Sequence, residues 1–258
     1  MVHDATSEHM DFQAKNFTYA TETFGDFIDR IDRGEKLYLR SLSTEKPAEL
    51  PTDIERDFPS ISKDFQLPPE LAFITENVHS RPLRISGPVI MWLHYDVRSC
   101  RGSAISANVG KVMANVLCQI RGTKRLLIFP PSDVEHLGFD AGASSSSINV
   151  FEKHGSIPAG THPHEAVLGR GDVLFLPPLW LHTASPTSGM SIAVNVFFRN
   201  LHSGYAAGKD VYGNRDLQAY EKGRQDIVRI IKSFDSLPAD IRGFYLQRLA
   251  KEFEQKTC

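Results

Sequence analysis

Two hydrophobic periods divide this chain, a helical one toward its ends and a strand-like one between them. From Thr23 to Arg33 the apolar positions Phe24, Phe27, Ile28 and Ile31 fall on one helical face, with Thr23 placed to cap the start and Gly34 to stop it. Lys36–Arg40 predicts a short strand. Residues 1–15 are polar and predict a frayed end. Residues 43–70, rich in Pro and acidic side chains, predict a loop with short helical turns.

From Pro82 the texture becomes a series of short β-rich runs: Leu83–Ile85, Val89–His94, Ala114–Ile120, Arg125–Phe129, Ala166–Leu168, Val173–Phe175 and Ser191–Phe198. Gly, Pro or Asp bounds each run, as at Arg121-Gly122 and Gly169-Arg-Gly-Asp172. Many short strands with punctuated turns predict a mainly β sandwich or barrel of the jelly-roll type. Beyond Asn200 the helical period returns over Asp216–Phe234 and Pro238–Phe253, joined at Ser236-Leu-Pro238. Tyr220, Ile227 and Ile231 stripe the first helix, and Ile241, Tyr245 and Phe253 the second. Such a pair either packs on its own barrel or forms a dimerisation hairpin. The expected organisation is an N-terminal extension over 1–80, a β core over 81–200 and a C-terminal helical pair over 201–258.

Composition narrows the setting. A formal net charge of -2 gives no global attraction to nucleic acid, so contact with RNA needs a local basic patch. Cys100, Cys118 and Cys258 are few and odd in number, which suits a reducing compartment better than a disulfide scaffold. Met1-Val-His-Asp-Ala-Thr lacks the apolar centre of a signal peptide, and no apolar run approaches the roughly 20 residues that span a bilayer. The expectation is a cytoplasmic or nuclear protein with no membrane partner.

Candidate chemistry centres on His94-Tyr-Asp96, at the end of an apolar run, and on the distant His182 in Pro177-Pro-Leu-Trp-Leu-His. Two imidazoles and one carboxylate make a facial triad that leaves three sites of an octahedral Fe(II) free. His-x-Asp tripeptides are also common at strand ends, where they make ordinary hydrogen bonds. Lys124 enters an apolar strand, either as an anion partner or as a surface lysine beside Arg125. Asn115 and Asn195 are amides inside apolar strands and need partners there. His154, His162 and His164, with Glu165, form a second histidine group that reads as a solvated loop.

Taken together, His94-Tyr-Asp96, Gln119-Ile-Arg-Gly-Thr-Lys-Arg125 running to Phe-Pro-Pro131, Gly171-Asp-Val-Leu-Phe-Leu-Pro, Trp180-Leu-His182 and Val194-Asn-Val-Phe resemble the JmjC (cupin-like) hydroxylases. Within them the resemblance is to the branch linked to tRNA wybutosine biosynthesis. Leu83-Arg-Ile-Ser-Gly-Pro88 and Asp210-Val-Tyr-Gly-Asn-Arg-Asp216 extend it over roughly residues 12–255.

The resemblance implies a double-stranded β-helix that uses Fe(II), 2-oxoglutarate and O2. It puts the iron on His94, Asp96 and His182, and the cosubstrate on Lys124, Asn115 and Asn195. It also implies a target in the anticodon loop of tRNA-Phe and a homodimer made by the C-terminal helices. Bases in exposed RNA loops stack on aromatic rings, which makes Trp92, Tyr95 and Trp180 candidates; core packing is their other reading.

Two departures stand out. Met91 occupies the position where many relatives carry a Thr that helps hold the keto acid. Val97–Lys111 interrupts a run that relatives keep continuous, since its removal joins His-Tyr-Asp96 to Val112-Met-Ala-Asn115. The segment reads as a retained intron or a loop beside the site. Rival functions are a scaffold without turnover and a protein side-chain hydroxylase. A methyltransferase belongs to some full-length relatives, but this chain has no Gly-rich nucleotide loop to support one.

Overall fold

The computed structural model describes residues 1–47, 49–96, 113–141, 143–152, 157–198 and 215–256. The Val97–Lys111 interruption, His154 and Asp210–Asn214 lie outside the described residues. The strands are β1 (Val2–Ala5), β2 (Phe17–Ala20), β3 (Leu37–Arg40), β4 (Val78–Ser80), β5 (Leu83–Ser86), β6 (Leu93–His94), β7 (Ala114–Phe129), β8 (Ser145–Ser146), β9 (His164–Leu168), β10 (Val173–Leu176) and β11 (Leu181–Phe198). The helices are α1 (Phe24–Asp32), α2 (Ile54–Asp57), α3 (Pro59–Ser62), α4 (Ala72–Thr75), α5 (Arg215–Ser233) and α6 (Ala239–Glu254).

The strands form one curled, mostly antiparallel sheet in the order β10-β7-β11-β5-β3-β1-β2, with β4 and β6 also on β11, β8 on β6 and β9 on β7. The long strands β7 and β11 pair along their whole lengths, and this ladder is the spine of the half-barrel. The expected turn at Arg121-Gly122 is not a turn. Gly122 bends a continuous strand at φ 74°, opposite register shifts between Pro186 and Ala193 of β11.

That bend moves the side-chain alternation by one residue. Before it, Asn115 and Leu117 face the barrel interior; after it, Lys124 and Leu126 do. On β11 the inward residues likewise change from His182, Ala184 and Pro186 to Asn195 and Phe197. Two separate predicted strands are thus halves of one, brought to a common face by a glycine.

The outer face packs on helices. Phe27 and Ile31 of α1, Ile54 of α2 and Ile74 of α4 bury against Val116, Cys118, Val194 and Val196. Each such side chain contributes about 2 kcal/mol of apolar burial. The Thr23 hydroxyl accepts from the Asp26 backbone N–H at 3.1 Å, and Gly34 follows the helix at φ 84°, as the sequence predicts.

The expected fraying of residues 1–15 is a misreading. β1 lies between β2 and β3, Val2 and Met10 are buried, and the Met10 N–H donates to the Ile90 carbonyl while the Ile90 N–H donates to that of Glu8. Four residues are too few to display a period, so pairing rather than pattern defines this strand. The Val89–His94 run pairs as a strand only at Leu93–His94, because Ile90 is bridged to His9 instead.

In the terminal helices, Tyr220, Ile227, Ile231, Ile241, Tyr245 and Phe253 are all exposed. Phe234 stacks on Tyr245 across the turn, with centroids 6.3 Å apart.

Candidate metal centre

His94 ends β6 and His182 opens β11, and the two are direct register partners. Asp96 follows two residues after His94, so its carboxylate reaches the same point. One ligating atom from each residue lies within 4.8 Å of the others, and among the described residues this is the one such group of three or more. The ring orientations fit a metal. His94 Nδ1 bonds the Trp92 carbonyl at 2.9 Å, and His182 Nδ1 bonds the Trp180 carbonyl at 3.0 Å. With Nδ1–H donating in both rings, each Nε2 keeps its lone pair for the shared point, the arrangement seen in metal-ligating histidines. His182 Nε2 stands 3.8 Å from Asp96 Oδ2. Burial first, and then the neighbouring His182, push the His94 imidazole well below the ordinary histidine range, toward the neutral form that ligates.

Behind the triad a cavity runs between β5, β7 and β11, lined by Lys124, Arg84, Tyr38 and Ser86 as well as Asn115 and Asn195. Lys124 is 7% exposed, and burial, with Arg84 adding repulsion, lowers its ammonium to about 8. Two cations in one low-dielectric pocket repel each other, and an anion between them removes that cost. An anion placed between Lys124 and Arg84 would be favoured by this arrangement.

Arg84 and Tyr38 are not among the residues singled out from sequence. A signal for Arg84 exists in Leu83-Arg-Ile-Ser86: Leu83 and Ile85 pack in the outer core, so the alternating Arg84 and Ser86 turn inward. Met91 also lines the cavity.

The amides form a chain. Asn115 Nδ2 donates to Asp96 Oδ2 at 3.0 Å, and Asn195 Nδ2 donates to Asn115 Oδ1 at 3.0 Å. The three aromatic candidates are outside the cavity lining. Trp92 stacks on Phe17 at 5.8 Å, Tyr95 donates its hydroxyl to the Ala143 carbonyl, and Trp180 packs beside His164. In the second histidine group, His162 binds Asp133 through Nδ1 at 2.9 Å, while His164 starts β9 against Trp180. They do not converge on a common point.

A sheet curled around two histidines on facing strands with a carboxylate just beyond one of them defines a class, and the chain belongs to it: the cupin-like domain family, whose model matches residues 1–204. Among curated proteins it is similar to tRNA wybutosine-synthesizing protein 4 of Aspergillus oryzae, 60% identical over 259 residues, covering 100% of this chain and 24% of that protein. The same-named protein of Neurospora crassa is 59% identical over 265 residues, covering 100% of this chain and 21% of that protein. tRNA wybutosine-synthesizing protein 5 of Danio rerio is 33% identical over 273 residues, covering 99% of this chain and 77% of that protein. The chain thus spans about a quarter of the length of the protein 4 relatives. No helix among the described residues is long and apolar enough to cross a membrane.

Proposed function

We propose that the chain is an Fe(II)- and 2-oxoglutarate-dependent hydroxylase acting on the wybutosine-type base beside the anticodon of tRNA-Phe. The observation that carries this reading is a facial triad and two buried cations lining one cavity. His94, Asp96 and His182 would hold the iron. When bound, iron would supply oxidative chemistry, with dioxygen as the oxidant whose two oxygen atoms go to succinate and to the hydroxylated C–H bond as 2-oxoglutarate loses CO2.

The chain's own residues do the rest. Lys124 and Arg84 hold the far carboxylate of the dianion, and a charge-assisted pair in a buried site is a strong one. Leu117, Leu126 and Phe197 keep the cavity walls apolar and limit water. The wybutosine relatives support tRNA as the substrate class. The exposed apolar stripes of α5 and α6 support a homodimer in which a second copy covers them.

The test is iron-dependent succinate formation with hypomodified tRNA-Phe, beside a His182→Ala control. Succinate with a hydroxylated nucleoside, both lost in the control, is the expected result. Cosubstrate and tRNA binding without turnover would overturn the hydroxylase in favour of a scaffold. Turnover on a protein side chain but not on tRNA would overturn the substrate.

A further inference from the structure

We propose that Asn195 is a positioning residue for the metal centre, fixing the Asp96 carboxylate through Asn115; this rests on the metal site proposed above. The argument follows donors and acceptors. An ionised carboxylate only accepts hydrogen bonds. Asn115 must therefore turn its Nδ2 toward Asp96, which it meets at 3.0 Å. Its Oδ1 is then aimed the other way and needs a donor. Asn195 Nδ2 supplies one at 3.0 Å.

Were Asn115 to flip, its Oδ1 would oppose the carboxylate and its Nδ2 would oppose the Nδ2 of Asn195. Both contacts would be repulsive, so each amide locks the other. Asn115 is 1% exposed and Asn195 8%, so water competes little for these bonds.

The fold places the three proposed ligands in different settings. His94 and His182 are held by strand pairing and by backbone carbonyls. Asp96 lies two residues beyond the end of β6, and Asn115 reaches it from β7. Asn115 and Asn195 sit in the middle of the sheet, on the paired strands β7 and β11, and Asn195 N–H bonds the Pro82 carbonyl at 3.1 Å. The chain of amides ties the Asp96 carboxylate to the paired strands β7 and β11. Its closeness to the cavity invites a cosubstrate role for Asn195, but the geometry points to a role through Asn115.

A double-mutant cycle on Co(II) affinity, read by titration and by the visible bands of the bound metal, tests this without turnover. Asn195→Ala is expected to weaken Co(II) binding about tenfold, the lower end of what losing such a supporting group costs. Asn115→Ala is expected to weaken it at least as much, and the double variant no more than Asn115→Ala alone, because Asn195 acts only through Asn115. Asn195→Asp keeps the volume but cannot donate when ionised, so it carries the same cycle should the Ala variant not fold. Additive losses, or full Co(II) affinity in the Asn195 variants beside a His182→Ala that has lost it, would overturn the proposal. A His182→Ala that retains full affinity would overturn the metal reading instead.

Discussion

His94 and His182 face each other across β6 and β11 with ring centroids 4.4 Å apart, each held by a carbonyl two residues back, just before its strand begins. Strand pairing thus aims two lone pairs at one point before any ligand arrives. Adding Fe(II) or Co(II) is expected to raise the melting temperature. At a free metal concentration of a hundred times Kd the gain is about 2.7 kcal/mol. His94→Ala and His182→Ala should each abolish that gain without lowering the melting temperature of the metal-free protein much, if the proposed metal role rather than packing places these side chains. Thermal melts with and without metal check it. A metal-dependent gain that survives in both variants would sink the triad.

Lys124 and Arg84 predict how anion binding depends on pH. The free Lys124 ammonium titrates at about 8, and it is the protonated form that attracts a carboxylate. The facing groups are Arg84 beside it and His94, Asp96 and His182 at the other end of the cavity. Affinity for 2-oxoglutarate is therefore expected to be flat below pH 8 and to fall as pH rises above it. Lys124→Met should lose about tenfold or more and remove that dependence, whereas Arg84→Met should weaken binding but keep it, moving the fall to higher pH as repulsion on Lys124 is relieved. Calorimetry from pH 6.5 to 9.5 on the three proteins is the measurement.

The grouping of the candidate ligands and the β class were legible in the sequence because both depend on local signals. His94-x-Asp96 keeps two candidate ligands together at the end of β6, and Gly, Pro and Asp punctuate the strands. Other features depended on pairing partners far along the chain. β1 is a strand because Val2 meets Ala20 on one side and Leu39 on the other, which no run of four residues reveals. Gly122 resembles a turn residue until β11 is seen running past it. The stacking roles considered for Trp92 and Trp180 required knowing which face each ring takes, and both rings pack away from the cavity lining.

Asp57 anchors the segment that carries α2. Its side chain is fully buried, and it accepts from the Thr44 and Asp53 backbone N–H groups at 3.0 and 2.8 Å and from the Thr52 hydroxyl and Arg56. Burial alone would raise its acid range, but Arg56 and the two backbone donors outweigh that and hold it at about 2. A depressed carboxylate contributes stability that is full above its unfolded range near pH 4 and lost as pH falls toward 2, here roughly 2 kcal/mol. Asp57→Asn should flatten this part of the acid-unfolding profile. It should also cost about 1–3 kcal/mol at pH 7, because donors once shared by a carboxylate are left unpaired. Urea unfolding at pH 7 and pH 3 compares the two proteins; equal losses in both would refute the assignment.

Gly122 links fold stability to the site. Its φ of 74° is one that side-chain-bearing residues rarely adopt, and a Cβ there would lie 2.5 Å from the Met190 carbonyl oxygen. That oxygen belongs to the backbone of β11, so it cannot swing aside as a side chain would. Relief requires the two strands to part or the bend to straighten. Straightening would return β7 to a single alternation, and Lys124 and Leu126 would then leave the face they share with Asn115 and Leu117. Gly122→Ala is accordingly expected to cost on the order of 2 kcal/mol or more in stability. It should also weaken 2-oxoglutarate binding, proposed here to use Lys124, more than Co(II) binding, proposed to use residues remote from the bend. Denaturant unfolding and paired titrations measure both. A variant with native stability, or one losing metal and cosubstrate equally while still folded, would show that the bend does not set the inward face.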